Sequence, residues 1–432
     1  MRKDASLEFL RGVAALVVLN GHLLRAFAPL AEGDGDQAAQ SLKRGLAFVA
    51  FNGGSAVYLF FVLSSYVLVK RYFQSRKAED LLLGAIKRLP RLAGPVLVAV
   101  LSSCILFKLD LYFFSDAAAV TQSTWLSRFG NAPKLLSPET ASFADAFMEG
   151  AWRTFIYGDK SYDSSLWTMT VEFWGSMMTF ALAPIIFSLQ GRWMLLSWFG
   201  VAAGTFLALQ FSFLVCAFPA SLLLYSPLAM EFRPNRWVRG AMITVSVALL
   251  GYAGDAVGIY RPFAVLDFAA SDIGLRQACV AIPASIMLVY AMLSMDDPPS
   301  WLSGKAARFL GDLSFPLYLV HVPVICSLGS WVLLASDSAA LGAAAAISGS
   351  ILAALPLMAF NNWWVQALGA LFDKNQTRRI GRHGARRGKG LSKHAGDSSP
   401  LLQDPIESRM SLSRVFAPNE ISACSEPVAS RR

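Results

Sequence analysis

About ten apolar runs of membrane-spanning length follow one another along this 432-residue chain, and they leave few folds open. They fall at roughly 7–30, 46–69, 92–114, 166–188, 193–209, 210–229, 238–254, 276–294, 310–334 and 340–371. A hydrocarbon core about 30 Å thick is crossed by about 20 helical residues at 1.5 Å each. Backbone amides in lipid must find partners within their own segment, so each run is expected as a helix and the chain as an all-α, polytopic bundle of about ten spans. Residues 193–230 hold barely enough length for two of them. With 55% of residues hydrophobic and 16% charged, residues 1–372 read as one membrane domain rather than several soluble ones. Residues 373–432 are basic and Ser-rich with no apolar period, and are expected as a disordered cytoplasmic tail.

Basic residues set the expected orientation. Lys70 to Arg91 carries Lys70, Arg71, Arg76, Lys77, Lys87, Arg88 and Arg91 against Glu79 and Asp80. Arg233, Arg236 and Arg239 face Glu231 alone, and Lys374, Arg378, Arg379, Arg382, Arg386, Arg387 and Lys389 follow the last run. Ser115 to Ser165, by contrast, holds Arg128, Lys134, Arg153 and Lys160 against Asp116, Glu139, Asp145, Glu149, Asp159 and Asp163. The positive-inside rule then places both termini in the cytoplasm, in agreement with an even span count. The net charge of +9 belongs largely to segments that would lie beside anionic headgroups. No basic stripe interleaves aromatics on a soluble domain, so the bilayer is the expected partner and nucleic acid is not. In the acidic loop, Phe143, Phe147 and Phe155 are expected on one face with Met148 and Trp152 beside them, as an interfacial helix leading to the fourth span.

Arg11 and His22 sit inside the first run. Eleven residues at about 100° each bring both side chains to one helix face, roughly 16 Å apart along the axis. Ionisable groups in a membrane are costly and usually functional, although a snorkelling Arg and a His bonded to a neighbouring helix would also satisfy the pattern. Because that run carries both, it is expected to stay as a span and not to be cleaved as a signal peptide.

Three further constellations carry chemistry. Arg88-Leu89-Pro90-Arg91 stands before the third run, where Pro90 favours the first turn of a new helix. Two guanidiniums beside the positive end of a helix dipole would make an anion site suited to phosphates; ordinary topogenic charge is the plainer reading. Glu172 lies about one turn into the fourth run and needs a cation, a hydroxyl or a proton as partner. His321 falls near the middle of the ninth run, just before Pro323, where it suits either catalysis or a helix–helix hydrogen bond. Cys104, Cys216, Cys279 and Cys326 lack disulfide or metal spacing and read as small packing residues, and Cys424 is in the tail.

Together these segments resemble the acyltransferase-3 family of multispan membrane acyltransferases, which includes bacterial O-antigen and polysaccharide O-acetyltransferases. The resemblance rests on Leu10-Arg11-Gly12-Val13-Ala14 through His22, Phe60-Phe61-Val62-Leu63-Ser64, Arg88 to Arg91, Leu166-Trp167-Thr168 through Val171-Glu172-Phe173, and Leu310-Gly311 through Tyr318-Leu319 to His321. They occur in the family's order across about residues 5 to 370. Ser65, Tyr66 and Tyr58 depart from the family pattern, which bears on acceptor preference rather than on the core chemistry. The resemblance implies O-acyl transfer from cytoplasmic acyl-CoA, acetyl-CoA foremost, to a hydroxyl of a small-molecule, glycan or lipid acceptor reached from the other side. His22 would be the general base, with Glu172 and His321 as further catalytic or acceptor-side groups. Arg88, Arg91 and Arg11 would hold the CoA phosphates. No resident cofactor or metal is expected, and acyl-CoA enters as co-substrate. All of these groups are expected on one polar cavity running inward from Arg88 and Arg91, with Glu172 and His321 toward its luminal half.

Other classes fit less well. The chain has neither Gly-x-Ser-x-Gly nor a Walker phosphate loop. A proton-coupled transporter using Arg11, His22 and Glu172 as a relay is the main alternative, but such proteins show matching halves with interrupted helices, and the two halves here differ.

Overall fold

In this computed structural model residues 4–29, 40–189 and 194–391 are described, and among them every regular element is helical. The principal helices are α1 (Ala5–Phe27), α2 (Gly53–Ser75), α3 (Ala78–Lys108), α4 (Trp167–Leu189), α5 (Met194–Phe211), α6 (Arg236–Leu250), α7 (Ile273–Leu293), α8 (Lys305–Val324) and α9 (Ala339–Leu391). Among the described residues seven helical stretches are long and apolar enough to cross a membrane: α1, α2, α3, α4, α7, α8 with its continuation to Ser336, and α9. The protein is an integral, multi-pass membrane protein. The other three expected spans are helical but short. The 15 residues of α6 rise only about 22 Å, and Phe213–Tyr225 is broken into separate 3₁₀ and α turns around Pro219, so it and the neighbouring α5 share a stretch too short for two full crossings.

Residues 1–373 form one compact unit and 374–432 a second. In the second unit residues 374–391 are helical, where composition alone places the start of a disordered tail. A helix already nucleated by an apolar span extends at little cost per residue. The remainder of the expected tail lies outside the described residues.

The most extensive helix pairing joins α1 to α8. A Cβ on Gly12 would lie 2.8 Å from the Leu310 carbonyl oxygen, and one on Gly311 would lie 2.8 Å from that of Glu8. The two glycines therefore let the backbones approach closely, as small residues do where membrane helices cross. A second tie is polar. Asn52 caps α2 by accepting the Ser55 N–H, and its amide donates to the Leu250 and Tyr252 carbonyls at 2.9 Å each. Gln277 on α7 donates to Asn52 Oδ1 at 2.9 Å, which joins α2, α6 and α7 through groups that lipid could not satisfy.

Two local expectations are corrected. The helix break at Pro90 is absent: α3 runs unbroken for 31 residues through Pro90 and Pro95. Leu81, Arg88, Leu92, Pro95 and Ala99 recur at helical spacing and are all buried, so one packed face holds the helix together across the prolines. Trp364 on α9 donates its indole N–H to the Pro90 carbonyl at 2.8 Å. Arg88 and Arg91 consequently sit inside a helix, not at its N-terminus, and the helix-dipole argument for an anion site falls away. In the acidic loop, Phe143–Met148 and Thr154–Ile156 are α-helical but are joined by a π turn, Glu149–Arg153. Phe143 and Phe147 are exposed whereas Phe155 is fully buried. The wide turn breaks the common face that a uniform helix would have given.

Candidate active site

α1 and α8 bring their histidines together. His22 Nδ1 lies 2.7 Å from His321 Nε2, and the imidazoles stack with centroids 4.9 Å apart. His321 is 1% exposed, and its Nδ1 lies 2.7 Å from the Tyr318 carbonyl. A carbonyl only accepts, so His321 Nδ1 carries the proton and, in the neutral ring, Nε2 is left with its lone pair. His22 Nδ1 must then be the donor in the pair. This places the His22 lone pair on Nε2, which makes no hydrogen bond among the described residues. The tautomers thus follow from the hydrogen-bond partners. Trp125, from the short helix Thr124–Ser127 that follows α3, stacks on His22 at 5.1 Å and fixes the plane of the ring.

A cavity of about 380 Å³, within the size range of small-molecule sites, opens around the expected arginines. Arg11, Arg88, Arg91, Ser64, Thr168, Glu172, Asp312 and Tyr318 line it, with Phe60, Phe61, Val57 and Met169 as apolar walls. Arg88 is 7% exposed and engages three side chains. It forms a salt bridge with Glu172, donates from Nη2 to Ser64 at 3.1 Å, and donates from Nε to Ser176 at 3.0 Å. Ser64 in turn donates to Glu172. Arg11 pairs with Glu8 at 3.3 Å across one helical turn. Arg91 is exposed and makes no hydrogen bond or ion pair among the described residues.

The acyltransferase domain model of family 3 matches residues 4–368, nearly the whole membrane unit. The chain belongs to the acyltransferase-3 family. No curated protein and no solved structure matches it.

In this membrane acyltransferase the expected site residues are therefore divided between two places. His22 and His321 meet. Arg11, Arg88, Arg91 and Glu172 line the cavity, but neither histidine does. Glu172 stands beside Arg88 rather than toward the histidines, because a buried guanidinium requires a counter-ion and α4 supplies the nearest one. The link between the two places is Tyr318. Its side chain lines the cavity, its ring centroid is 5.5 Å from that of His321, and its carbonyl orients His321. The Tyr318 hydroxyl donates to the Ser165 carbonyl at 2.8 Å and lies 2.8 Å from the Thr168 hydroxyl.

Sequence reasoning missed Trp125 and the roles of Tyr318, Ser64 and Ser176 in the acyltransferase. Ser64 and Tyr318 stand within the resemblance motifs, and Tyr318 precedes His321 by one helical turn, which is a usable signal. Trp125 lies in the one-turn helix Thr124–Ser127, far from His22 in sequence, and gives none. Of the cysteines, Cys104, Cys216 and Cys326 are buried as expected for packing residues, while Cys279 is exposed.

Proposed function

We propose that the protein transfers an acyl group from cytoplasmic acyl-CoA to an acceptor hydroxyl, with His22 as the general base. The observation that carries this reading is the ordered chain from the Tyr318 carbonyl through His321 to His22, which leaves an unprotonated Nε2 on a half-buried imidazole. The acceptor hydroxyl gives its proton to Nε2 as its oxygen attacks the thioester carbonyl carbon. The tetrahedral adduct collapses with cleavage of the C–S bond, and the proton on His22 passes to the departing CoA sulfur. Through both steps His22 keeps its Nδ1–H on His321, so His321 holds the tautomer and steadies the imidazolium. The arginine cavity receives the donor. Arg91, which makes no hydrogen bond or ion pair among the described residues, and Arg11 attract the phosphates, while Phe60, Phe61 and Met169 suit the pantetheine and acyl portion. Arg88 and Glu172 shape the cavity wall. Both termini and the Arg88–Arg91 mouth face the cytoplasm in this reading.

A transporter relay is disfavoured by the family match and by Glu172, which is engaged with Arg88 and Ser64 away from the histidines. The test is acyl transfer by purified variants. His22→Ala should lower kcat by about 10²- to 10⁴-fold with acyl-CoA binding retained. His321→Leu should cost about 10²-fold, and His321→Gln should recover much of that, since an amide can donate to Tyr318 and accept from His22. Full activity in His22→Ala would end the proposal.

A further inference from the structure

We infer that Asp163, just before α4, is a positioning residue for the histidine pair: it fixes Ser165, Ser165 fixes Tyr318, and Tyr318 fixes His321. This deepens the reading of His22 as the base and rests on it. Asp163 is fully buried, and its Oδ1 accepts from the Ser165 backbone N–H at 2.9 Å and from the Ser165 hydroxyl at 2.8 Å. The first of these bonds caps the 3₁₀ turn Ser164–Leu166 that leads into α4. That turn packs against α8 at Tyr318. The Ser165 carbonyl accepts the Tyr318 hydroxyl at 2.8 Å, so the phenol is held from Ser165 while the carbonyl of the same tyrosine holds His321 Nδ1.

The second bond settles where the Ser165 proton goes. The hydroxyl oxygen also lies 3.4 Å from the Tyr318 carbonyl, the group that orients His321. A hydroxyl has one proton to give, and the carboxyl oxygen at the shorter distance takes it. Asp163 thereby keeps Ser165 from competing with His321 for that carbonyl. Without Asp163 the Ser165 proton turns to Tyr318, and the turn loses the bond that sets its own carbonyl beside the phenol. Both changes reach the same imidazole, whose Nδ1–H must stay on Tyr318 if Nε2 is to accept from His22. Asp163 Oδ2 has no hydrogen-bond partner, so the hold on the turn passes through one accepting oxygen. Burial pushes the carboxyl up to about 7, so a neutral side chain bearing such an oxygen suits the site, and asparagine supplies one. A merely structural Asp163 would act through α4 instead. There Thr168, Met169 and Glu172 line the arginine cavity, and its loss would appear in acyl-CoA binding.

Two measurements on the full-length protein test this. In the first, ¹⁵N-histidine NMR in phosphatidylcholine vesicles reads the tautomers at pH 8, with His383 and His394 changed to Gln so that the label reports the pair alone. Both rings should carry their proton on Nδ1 in this parent. Asp163→Ala should move His321 largely off that form, and Asp163→Asn should preserve it. In the second, release of radiolabelled acetate from acetyl-CoA is followed with water standing in for the acceptor. Water gives a proton to His22 Nε2 as its oxygen attacks the thioester carbon, and the C–S bond then breaks with that proton passing to sulfur. Asp163→Ala should lower kcat by about 10- to 100-fold, no more than His321→Leu does, with KM for acetyl-CoA unchanged. In a His321→Leu background it should cost nothing further, because its effect passes through that ring. Where hydrolysis is too slow to follow, the tautomer signals decide alone. If Asp163→Ala does not fold, Tyr318→Phe cuts the same chain one link on and should move the same signals. Nδ1–H signals that survive the substitution, a loss of kcat that adds to that of His321→Leu, or an effect confined to KM overturns the inference and leaves His22 as the base. Hydrolysis at the full rate by His22→Ala overturns both.

Discussion

Replacing Glu172 with Leu would strand the Arg88 guanidinium in the cavity wall with only Ser64 and Ser176 as partners. Removing one member of a buried ion pair typically costs about 3–5 kcal/mol, because the other charge is left desolvated. Arg88 keeps two neutral hydroxyl partners and borders a cavity that water can enter, so a cost near ~3 kcal/mol is expected. Glu172→Gln retains an acceptor oxygen and should cost about 1–2 kcal/mol. Arg88→Met should be comparable to Glu172→Leu. The double variant should regain at least ~2 kcal/mol over the sum of the singles, since no charge is then left behind. SDS-titration unfolding in micelles, followed by tryptophan fluorescence, supplies the cycle, and acyl transfer is measured on the same samples. Additive single costs would refute the pair as the element that holds this wall. A Glu172→Leu variant with wild-type stability and a hundredfold loss of transfer would place Glu172 in the chemistry instead.

Arg91→Gln should raise KM for acyl-CoA with little change in kcat, because an exposed cation at the cavity mouth contributes binding rather than bond-making; steady-state kinetics against acyl-CoA and a donor lacking the 3′-phosphate check this, with the shortened donor less sensitive to the change. Burial pushes the carboxyls of Glu149 and Asp163 up to about 7 each, and one Asp163 oxygen has no hydrogen-bond partner. In the unfolded chain both titrate near pH 4, so between about pH 4 and 7 the folded state holds the extra protons and stability falls as pH rises. Unfolding midpoints should therefore be higher at pH 5 than at pH 8, and Glu149→Gln with Asp163→Asn should flatten the profile. Gly12→Val should destabilise by at least ~1–3 kcal/mol by forcing α1 off the Leu310 backbone, read in the same titration; unchanged stability would mean that the α1–α8 crossing is looser than its geometry.

Positions of the helices were legible in the sequence because lipid solubility and backbone satisfaction are local demands, written into each run. Depth was legible for the same reason: His22 and His321, each placed along its own run, do meet. What could not be read was which partner a buried charge would choose. Glu172 and His321 are equally plausible neighbours on a hydropathy map, and only the packing of α2, α3 and α4 turns Glu172 to Arg88. Pro90 misleads for a related reason. Its local preference for a helix start is real, but the buried face on both sides of it decides otherwise. The π turn at Glu149–Arg153 is likewise a product of packing, as Gly150 rests against Leu97 and Val100 of α3.

The arginine cavity and a second, smaller cavity lined by Arg25, Lys43 and Trp125 have no lining residue in common among the described residues. In an energised membrane that separation has electrical meaning. A unit charge falling through 100 mV releases about 2.3 kcal/mol, so any continuous aqueous thread from one face to the other would drain the gradient. The Tyr318 ring, the two imidazoles and the Trp125 indole follow one another by ring contact, Tyr318 lining the first cavity and Trp125 the second. Direct attack brings the acceptor oxygen and the thioester carbon together at His22, so these rings have to admit both reactants without opening a continuous path for ions. Insulation and catalysis then become properties of the same few rings.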